Sequence, residues 1–319
     1  MSYAVLRHYW HPVATVEDLG DKPVGVHLLD ERVVLFSTKG QLAAFKDLCI
    51  HRGTPLSLGR IENGTLVCAY HGWAYAPDGA CVCIPSLGPG QSIPRKARAV
   101  VHRAEKRYGL VWVCLDEPRA PIPEFPEIDD PAFRTFCMKF DIWDTSAGRM
   151  VENFADFSHF AWVHPGINGA PDDPVAPLYQ VERRGDELHY TVDLRGDFGA
   201  GSWETVENRY RIVPPYSIQL IRMMPEGRRY VLTLFVSPIS TNKIRRFLCV
   251  SRNYRPEESL DEELGSYIRT VAGQDRAIIE RQRPEELPID LSEELHLRGP
   301  DAASVAYRRL LAEIGVKEP

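Results

Sequence analysis

Two short segments of the chain each carry one cysteine and one histidine. Cys49 and His51 stand two positions apart, Cys68 and His71 stand three positions apart, and sixteen residues separate the two pairs. A zinc finger usually takes two cysteines from one end and two histidines from the other, whereas each pair here is mixed. Mixed pairs suit a two-iron cluster in which one iron has two thiolate ligands and the other has two imidazole ligands. A structural zinc site is the alternative.

A second group of polar side chains lies in the segment ENFADFSHFAWVHPG. Asn153, Asp156 and His159 are three positions apart and so share a helical face, on which Asp156 can orient an imidazole. His159 and His164 are five positions apart, and a regular helix would not aim both at one metal. Because Pro165 disfavours helical geometry in the residue before it, we expect the helix to end or distort at His164.

A facial iron site needs a carboxylate besides two histidines. The sequence predicts a late helix over 260–282, and Asp275 occupies a position of its apolar stripe where another apolar residue would be expected. A carboxylate buried there is unfavourable unless a cation or a metal satisfies it. The residues alone leave two interpretations open, a metal ligand or an ion pair with a nearby arginine: Arg269, Arg276 or Arg281.

The elements that must position these residues fall into two parts. In the first part, short apolar runs alternate with turn residues and predict a small antiparallel β-domain, with an Asn63-Gly64 hairpin turn between the two Cys/His segments. The predicted strands are a hairpin over 24–38, then 41–48, 65–70 and 109–115. Five prolines in 118–131 predict a boundary, which gives domains 1–117 and 118–319.

The second part combines strands and helices. We expect the following elements: a strand over 134–144, a helical segment over 150–162, several strands within 178–252, and helices over 260–282 and 302–314. This order predicts an α+β fold in which a curved antiparallel sheet grips a helix.

Composition and charge limit the kinds of partner and the cell compartment that the sequence predicts. The 319 residues include 38 basic and 44 acidic ones, a formal net charge of -6, and no block of like charges predicts a nucleic-acid or membrane surface. The chain has no apolar run of signal-peptide length, which predicts a cytoplasmic protein. Seven cysteines without a secretion signal argue for free thiols or metal ligands rather than disulfides. Those outside the paired segments are expected to be core residues: Cys81, Cys83, Cys114, Cys137 and Cys249.

The motif C-x-H followed by C-x-x-H, with the flanking HRG and YHGW, resembles the Rieske 2Fe-2S motif of ring-hydroxylating and demethylating oxygenases. The segment GQDRAIIERQ resembles the late acidic helix that supplies the third iron ligand in this family. It favours Asp275, with Glu280 and Glu263 as alternatives. One departure is Ile50, where many members have proline. The resemblance extends from His11-Pro12 to the last helix.

This resemblance implies an N-terminal all-β Rieske domain followed by a catalytic helix-grip (START-like) domain. It implies one 2Fe-2S cluster, with Cys49 and Cys68 on one iron and His51 and His71 on the other. It also implies a mononuclear Fe2+ held by His159, His164 and Asp275. Two further residues receive roles: Asp156 would link His71 of a neighbouring subunit to His159, and Asn153 would lie near the iron.

The family implies an oxygenase that uses O2 to hydroxylate or oxidatively demethylate a small aromatic or heterocyclic substrate. The chain length resembles that of the monooxygenases and demethylases that contain only α-subunits. Members of this branch commonly form a head-to-tail homotrimer. No G-x-G-x-x-G motif follows a strand, so NAD(P)H is expected to act through a separate reductase, with or without a ferredoxin.

The sequence leaves three alternative functions open. The first is an arene cis-dihydroxylating dioxygenase, which uses the same ligands. The second is a non-catalytic Rieske electron-transfer protein, which would leave the residues after the first domain unexplained. The third is a zinc-stabilised protein whose second domain merely binds a hydrophobic molecule.

Overall fold

The computed structural model describes residues 4–88, 90–139, 141–169, 172, 174–196 and 203–317. Contacts divide the chain into two units, one over Leu6–Ile122 and the other over Pro123–Pro319 with Met1–Val5. The division falls within the proline-rich stretch 118–131. No helix in these ranges combines the length and the apolar character that a membrane span requires.

The described part of the first unit contains ten strands in two antiparallel sheets. The strands are β1 (His11–Thr15), β2 (Val24–Leu28), β3 (Glu31–Thr38), β4 (Gln41–Lys46), β5 (Arg60–Glu62), β6 (Thr65–Val67), β7 (Ala74–Tyr75), β8 (Cys81–Cys83), β9 (Val101–Arg107) and β10 (Leu110–Cys114). One sheet has the order β1-β10-β9-β4-β3-β2, and the other has the order β5-β6-β7-β8. The turn predicted at Asn63-Gly64 is confirmed, since it joins β5 to β6 with positive φ at both residues.

The core of the first unit reaches into the two Cys/His loops. Phe36 and Phe45 of β3 and β4 pack in one buried cluster with Cys49, Cys68 and Tyr75. Burial of apolar surface around the two cysteines therefore fixes both loops on the same core.

The second unit combines five helices and eight strands among its described residues. The helices are α1 (Pro126–Asp129), α2 (Ala147–Ala155), α3 (Phe160–Val163), α4 (Glu258–Ile279) and α5 (Ala302–Ile314). The strands are β11 (Arg134–Cys137), β12 (Asp141–Trp143), β13 (Glu182–Arg184), β14 (Glu187–Gly196), β15 (Glu204–Val213), β16 (Ser217–Met223), β17 (Arg229–Ser240) and β18 (Lys243–Arg252).

These strands form one antiparallel sheet in the order β11-β18-β17-β16-β15-β14-β13, with β12 also paired to β18. Alternate residues of β14 are buried, as expected for a strand with one face on a core. The strand predicted over 134–144 is in fact two strands, β11 and β12, that pair with different parts of β18.

The helix predicted over 150–162 is wrong as a single element. Between α2 and α3, Asp156 adopts an extended conformation and its carboxylate accepts hydrogen bonds from the backbone N–H groups of Ser158 and His159. An aspartate that satisfies nearby N–H groups competes with the helical hydrogen bonds, so the helix ends earlier than Pro165 alone would require.

Two expectations about cysteines are also wrong. Cys137 and Cys249 form a disulfide, because β11 and β18 place them directly opposite each other. Cys137 and Cys83 are exposed rather than in a core, whereas Cys81 and Cys114 are buried as expected.

Candidate metal centres

The two Cys/His loops of the first unit have the same backbone geometry. In each loop the cysteine N–H donates to the carbonyl five residues ahead, in Thr54 or Trp73. In each loop the N–H of the glycine four residues ahead, Gly53 or Gly72, donates back to the cysteine carbonyl. Both glycines have positive φ, 72° and 70°, a conformation in which a side chain is strained. Two matching turns therefore present one cysteine each.

The environment of the thiols suits metal ligands. Cys49 and Cys68 are buried, with relative exposures of 2% and 1%. Burial raises the pKa of the Cys68 thiol and outweighs the backbone N–H of Tyr70, while the neighbouring Cys49 thiol raises it further. The Tyr75 hydroxyl lies 3.2 Å from the Cys49 sulfur. Thiols in this setting ionise when a metal binds them, because the positive metal ion stabilises the thiolate that burial alone would disfavour.

The two imidazoles lie together as well. The ring centroids of His51 and His71 are 4.5 Å apart, and the Trp73 indole stacks on His51 at 4.6 Å. Burial lowers the pKa of His51, and the neighbouring His71 and Arg52 lower it further, which favours the neutral form of the ring. Nδ1 of His51 is buried, and no residue that the structure describes forms a hydrogen bond with it. Two neighbouring imidazoles, one with an unsatisfied buried nitrogen, in the same pair of loops as two buried thiols fit the donor set of a two-iron cluster.

The second centre consists of His159, His164 and Asp275, whose ligand atoms all lie within 4.8 Å of one another. Oδ1 of Asp275 lies 3.4 Å from Nε2 of His159 and 3.1 Å from Nε2 of His164. That oxygen is buried and makes no well-aligned hydrogen bond to either ring. Two imidazoles and one carboxylate converging on one point are the donor set of a facial ferrous site.

The backbone brings the two histidines together through the break between α2 and α3. His159 precedes the first residue of α3 and His164 follows the last, so four helical residues separate them. The carboxylate arrives from α4, at the predicted position of its stripe. Among the described residues no arginine pairs with Asp275: Arg276 binds Glu280, and Arg281 donates to the backbone carbonyl of Ala277 in α4.

Each imidazole is oriented by a second side chain. Oδ2 of Asp156 accepts from Nδ1 of His159 at 2.8 Å, and Oε1 of Gln274 accepts from Nδ1 of His164 at 2.8 Å. Each bond leaves Nε2 free to face the carboxylate and fixes the tautomer that a metal requires. The sequence indicated the role of Asp156. Gln274 was missed, although it adjoins Asp275 in the chain.

The charges of this centre attract a cation. Burial lowers the pKa of His159, but Asp156 and Asp275 outweigh it and raise that pKa to about 9. Burial raises the pKa of Asp275, but the two imidazoles outweigh it and lower that pKa to about 2. Two carboxylates around one imidazole thus stabilise positive charge at the point where the ligand atoms meet.

The alternative carboxylates lie elsewhere. Glu280 accepts hydrogen bonds from Arg276 and from the backbone N–H of Asp144, and Glu263 is exposed. Asn153 lines the same cavity as the two histidines and Asp275.

A cavity of about 690 Å³, including its open mouth, adjoins the His/His/Asp group. Apolar side chains from the sheet and from α4 form much of its wall, among them Leu220, Leu232 and Val271. Three polar residues that the sequence analysis missed, Tyr210, Arg222 and Tyr230, also line it. Their strand alternation would have shown that they face inward, but not that they face this cavity.

Known proteins match both parts of the chain. Residues 9–100 match the family model of the Rieske [2Fe-2S] domain, and residues 143–316 match that of the vanillate O-demethylase oxygenase C-terminal domain. Methylxanthine N1-demethylase NdmA of Pseudomonas putida is 32% identical over 97% of this chain and 89% of its own length. Methylxanthine N3-demethylase NdmB of the same organism is 34% identical over 88% of this chain and 83% of its own.

Solved structures agree with the sequence relatives. The structure of NdmA with caffeine has a TM-score of 0.88 and 31% identity, and covers 98% of this chain and 91% of that one. This chain therefore belongs to the Rieske non-heme iron oxygenases. It is an oxygenase whose cofactors are a 2Fe-2S cluster and a mononuclear iron, as the resemblance implied, and the predicted fold class is confirmed.

Proposed function

We propose that this chain is the oxygenase component of a system that oxidatively demethylates a small aromatic or heterocyclic substrate. The observation that carries the proposal is the convergence of His159, His164 and Asp275 at the wall of a largely apolar cavity. N-demethylation is the activity named for both methylxanthine demethylase relatives, and it supports demethylation here.

The residues of each centre have distinct tasks. Cys49, His51, Cys68 and His71 hold the cluster, and His159, His164 and Asp275 hold the iron. When bound, the cluster supplies single electrons and the iron activates dioxygen. Asp156 and Gln274 keep the two imidazoles in the ligating tautomer. Hydroxylation of a methyl group on nitrogen or oxygen gives an unstable product that releases formaldehyde.

The remaining roles concern partners. A separate reductase, with or without a ferredoxin, passes electrons from NAD(P)H to the cluster. A head-to-tail homotrimer would place His71 of a neighbouring subunit near Asp156, which then links the cluster of one subunit to the iron of the next. The cytoplasmic location stays a prediction.

The decisive experiment measures iron, acid-labile sulfide and the visible spectrum of anaerobically purified protein. We expect about three irons and about two sulfides per chain, the content of one two-iron cluster and one mononuclear site. His159→Ala should lower the iron content to about two with the brown colour unchanged. His189→Ala, which removes a histidine paired with Glu187 on the sheet, is the matched control and should keep all the iron.

Other outcomes would contradict the proposal. Zinc without sulfide would exclude the oxygenase. About two irons in wild type, in protein reconstituted with ferrous iron, would leave an electron carrier. Product analysis separates the oxygenase reactions: a methylated substrate should release formaldehyde, whereas a cis-diol would indicate arene dihydroxylation.

A further inference from the structure

Part of the cavity wall is one face of the sheet. Three neighbouring strands, β15, β16 and β17, contribute Tyr210, Arg222 and Tyr230 to it. The register places Arg222 directly opposite Tyr230, and Leu220 directly opposite Tyr210. Because side chains on alternate positions share a face, the two tyrosines and the arginine form one group on the cavity floor. We refer to Tyr210, Arg222 and Tyr230 as the donor floor.

Both tyrosine hydroxyls of the donor floor are buried without a hydrogen-bond partner among the described residues. Their residues are only 2% and 4% exposed. An unsatisfied buried hydroxyl is costly, and native structures contain few of them. Burial raises the pKa of both phenols far above neutrality, although Arg222 lowers each, so both hydroxyls are protonated donors.

Other tyrosines near the site do not share this feature. The Tyr190 hydroxyl donates to the carbonyl of Ala155, and the Tyr267 hydroxyl donates to Oδ1 of Asn168. The protein thus satisfies hydroxyls in this region where an acceptor is built in. For Tyr210 and Tyr230 the described part of the chain provides no such acceptor, which points to an acceptor on a bound molecule.

The charge of the cavity agrees with an incoming acceptor. Arg222 is buried, donates from Nε to Asn208 and lies 5.7 Å from the centre of the Tyr230 ring. Arg246 also lines the cavity and is paired with Asp141. The only carboxylate on the described cavity wall is Asp275, which belongs to the His/His/Asp group. The donor floor is therefore the part of the cavity lining that favours oxygen acceptors.

We infer that the substrate carries a hydrogen-bond-accepting oxygen group, a carboxylate or a carbonyl, which binds to Tyr210, Arg222 and Tyr230 while its methyl-bearing end faces the His/His/Asp group. This inference rests on the proposed function and adds the substrate class. The donor floor then determines specificity, since a buried donor left unpaired rejects an analogue without the acceptor.

Binding can be measured without turnover, by calorimetry on the anaerobic holoenzyme. Three probes of similar shape separate the cases: 4-methoxybenzoate with a carboxylate, 4-methoxyacetophenone with a neutral carbonyl, and methoxybenzene with neither. We expect at least one of the first two to bind about tenfold or more tighter than methoxybenzene, as a hydrogen bond to a buried donor predicts. Preference between these two identifies the acceptor as anionic or neutral.

Variants then assign the contacts. Tyr210→Phe and Tyr230→Phe should each weaken binding of the preferred probe by about tenfold and leave methoxybenzene unchanged. Neither should lower the melting temperature, because each removes a hydroxyl that has no partner. Arg222→Gln should weaken the carboxylate more than the ketone. Tyr179→Phe is the control, since its hydroxyl is bonded to the Pro300 carbonyl away from this cavity.

The inference is wrong if the acceptor-bearing probes bind no tighter than methoxybenzene, or not at all. It is also wrong if folded Phe variants keep the full discrimination between probes. Neither result touches the proposed function, which fails instead on iron content or on the absence of oxygenated product.

Discussion

The two metal centres of this chain are built in opposite ways. In the first unit all four candidate ligands lie between Cys49 and His71, on two matching turns. In the second unit two candidate ligands flank the short helix α3, and the third, Asp275, is 111 residues beyond His164 in the chain. A centre formed by local turns is visible in spacing, whereas a centre closed by tertiary packing depends on the whole domain.

The centres also differ in how their ligands are prepared. Both thiols of the first centre are buried, and burial raises the pKa of the Cys68 thiol, which a bound metal would bring to the thiolate form. The imidazoles of the second centre are each held by another side chain, Asp156 or Gln274. Changes to ligands should therefore act on each centre separately, whereas changes to supporting residues should act mainly on the second.

The largest effect is expected from Cys68→Ala. Loss of a thiolate ligand should remove the cluster, its colour and all reductase-driven turnover, and should lower the melting temperature, because binding energy of the cluster contributes to folding. Visible absorption and sulfide analysis measure the cluster. Cys83→Ala, at an exposed free cysteine of the same unit, should retain both. A brown, active Cys68→Ala protein would contradict the assignment.

Asp275→Ala should abolish turnover without changing the colour. We expect activity to fall by more than about 100-fold, since removing a metal ligand costs more than removing a residue that only orients a ligand. Iron analysis should show loss of the mononuclear iron alone. Glu263→Ala, an exposed carboxylate of the same helix, is the control and should bind iron normally. Iron retained in Asp275→Ala would assign the third ligand to another carboxylate.

How far the sequence predicts each centre follows from the same difference. Spacing alone predicts Cys49, His51, Cys68 and His71 as ligands, because the turns and the candidate ligands are adjacent in the chain. Asp275 needed the family resemblance, since an interrupted stripe fits an ion pair equally well. The break at Asp156 was missed because helical periodicity does not show where a side chain binds backbone N–H groups instead.

The donor floor was beyond sequence analysis for another reason. Its residues belong to three strands, and only the register between β15, β16 and β17 shows that they meet. Alternation predicts which face of a strand is buried but not what lies across the sheet.

Asp156→Asn should slow electron transfer while both metals remain bound. The substitution keeps the shape of the side chain but removes the negative charge beside Nδ1 of His159. Loss of a residue that orients a metal ligand lowers activity by about 10- to 100-fold. The measurement is the rate at which a pre-reduced cluster is reoxidised by O2 and substrate in a single turnover. Asp193→Asn, on β14, is a control with no expected effect. Unchanged reoxidation would remove Asp156 from the electron path.

Gln274→Leu should weaken iron binding by about tenfold, at the lower end of the cost of losing an outer partner. The substitution removes the acceptor that orients His164 and leaves the cluster intact. Iron affinity is measured by competition with a chelator. Gln274→Glu restores an acceptor and should recover the affinity. Equal affinity in Gln274→Leu would show that packing alone orients His164.

The smallest effect is expected from a partly buried ion network that ties distant segments to α2. Arg149 and Arg308 both bind Glu294, and Arg308 also binds Glu152. Burial raises the pKa of Glu294, but the two arginines outweigh it and lower that pKa below its usual value. A carboxylate whose pKa is lowered by folding stabilises the folded state at pH values above its ordinary pKa. This stabilisation is lost as the pH falls through the pKa of the folded state.

The free energy of unfolding at pH 7 should therefore be larger for wild type than for Glu294→Gln, and the difference should shrink on acidification. Denaturant titrations at pH 7 and at an acidic pH measure this difference, with Glu293→Gln as control. A difference independent of pH would mean that Glu294 acts through packing rather than charge.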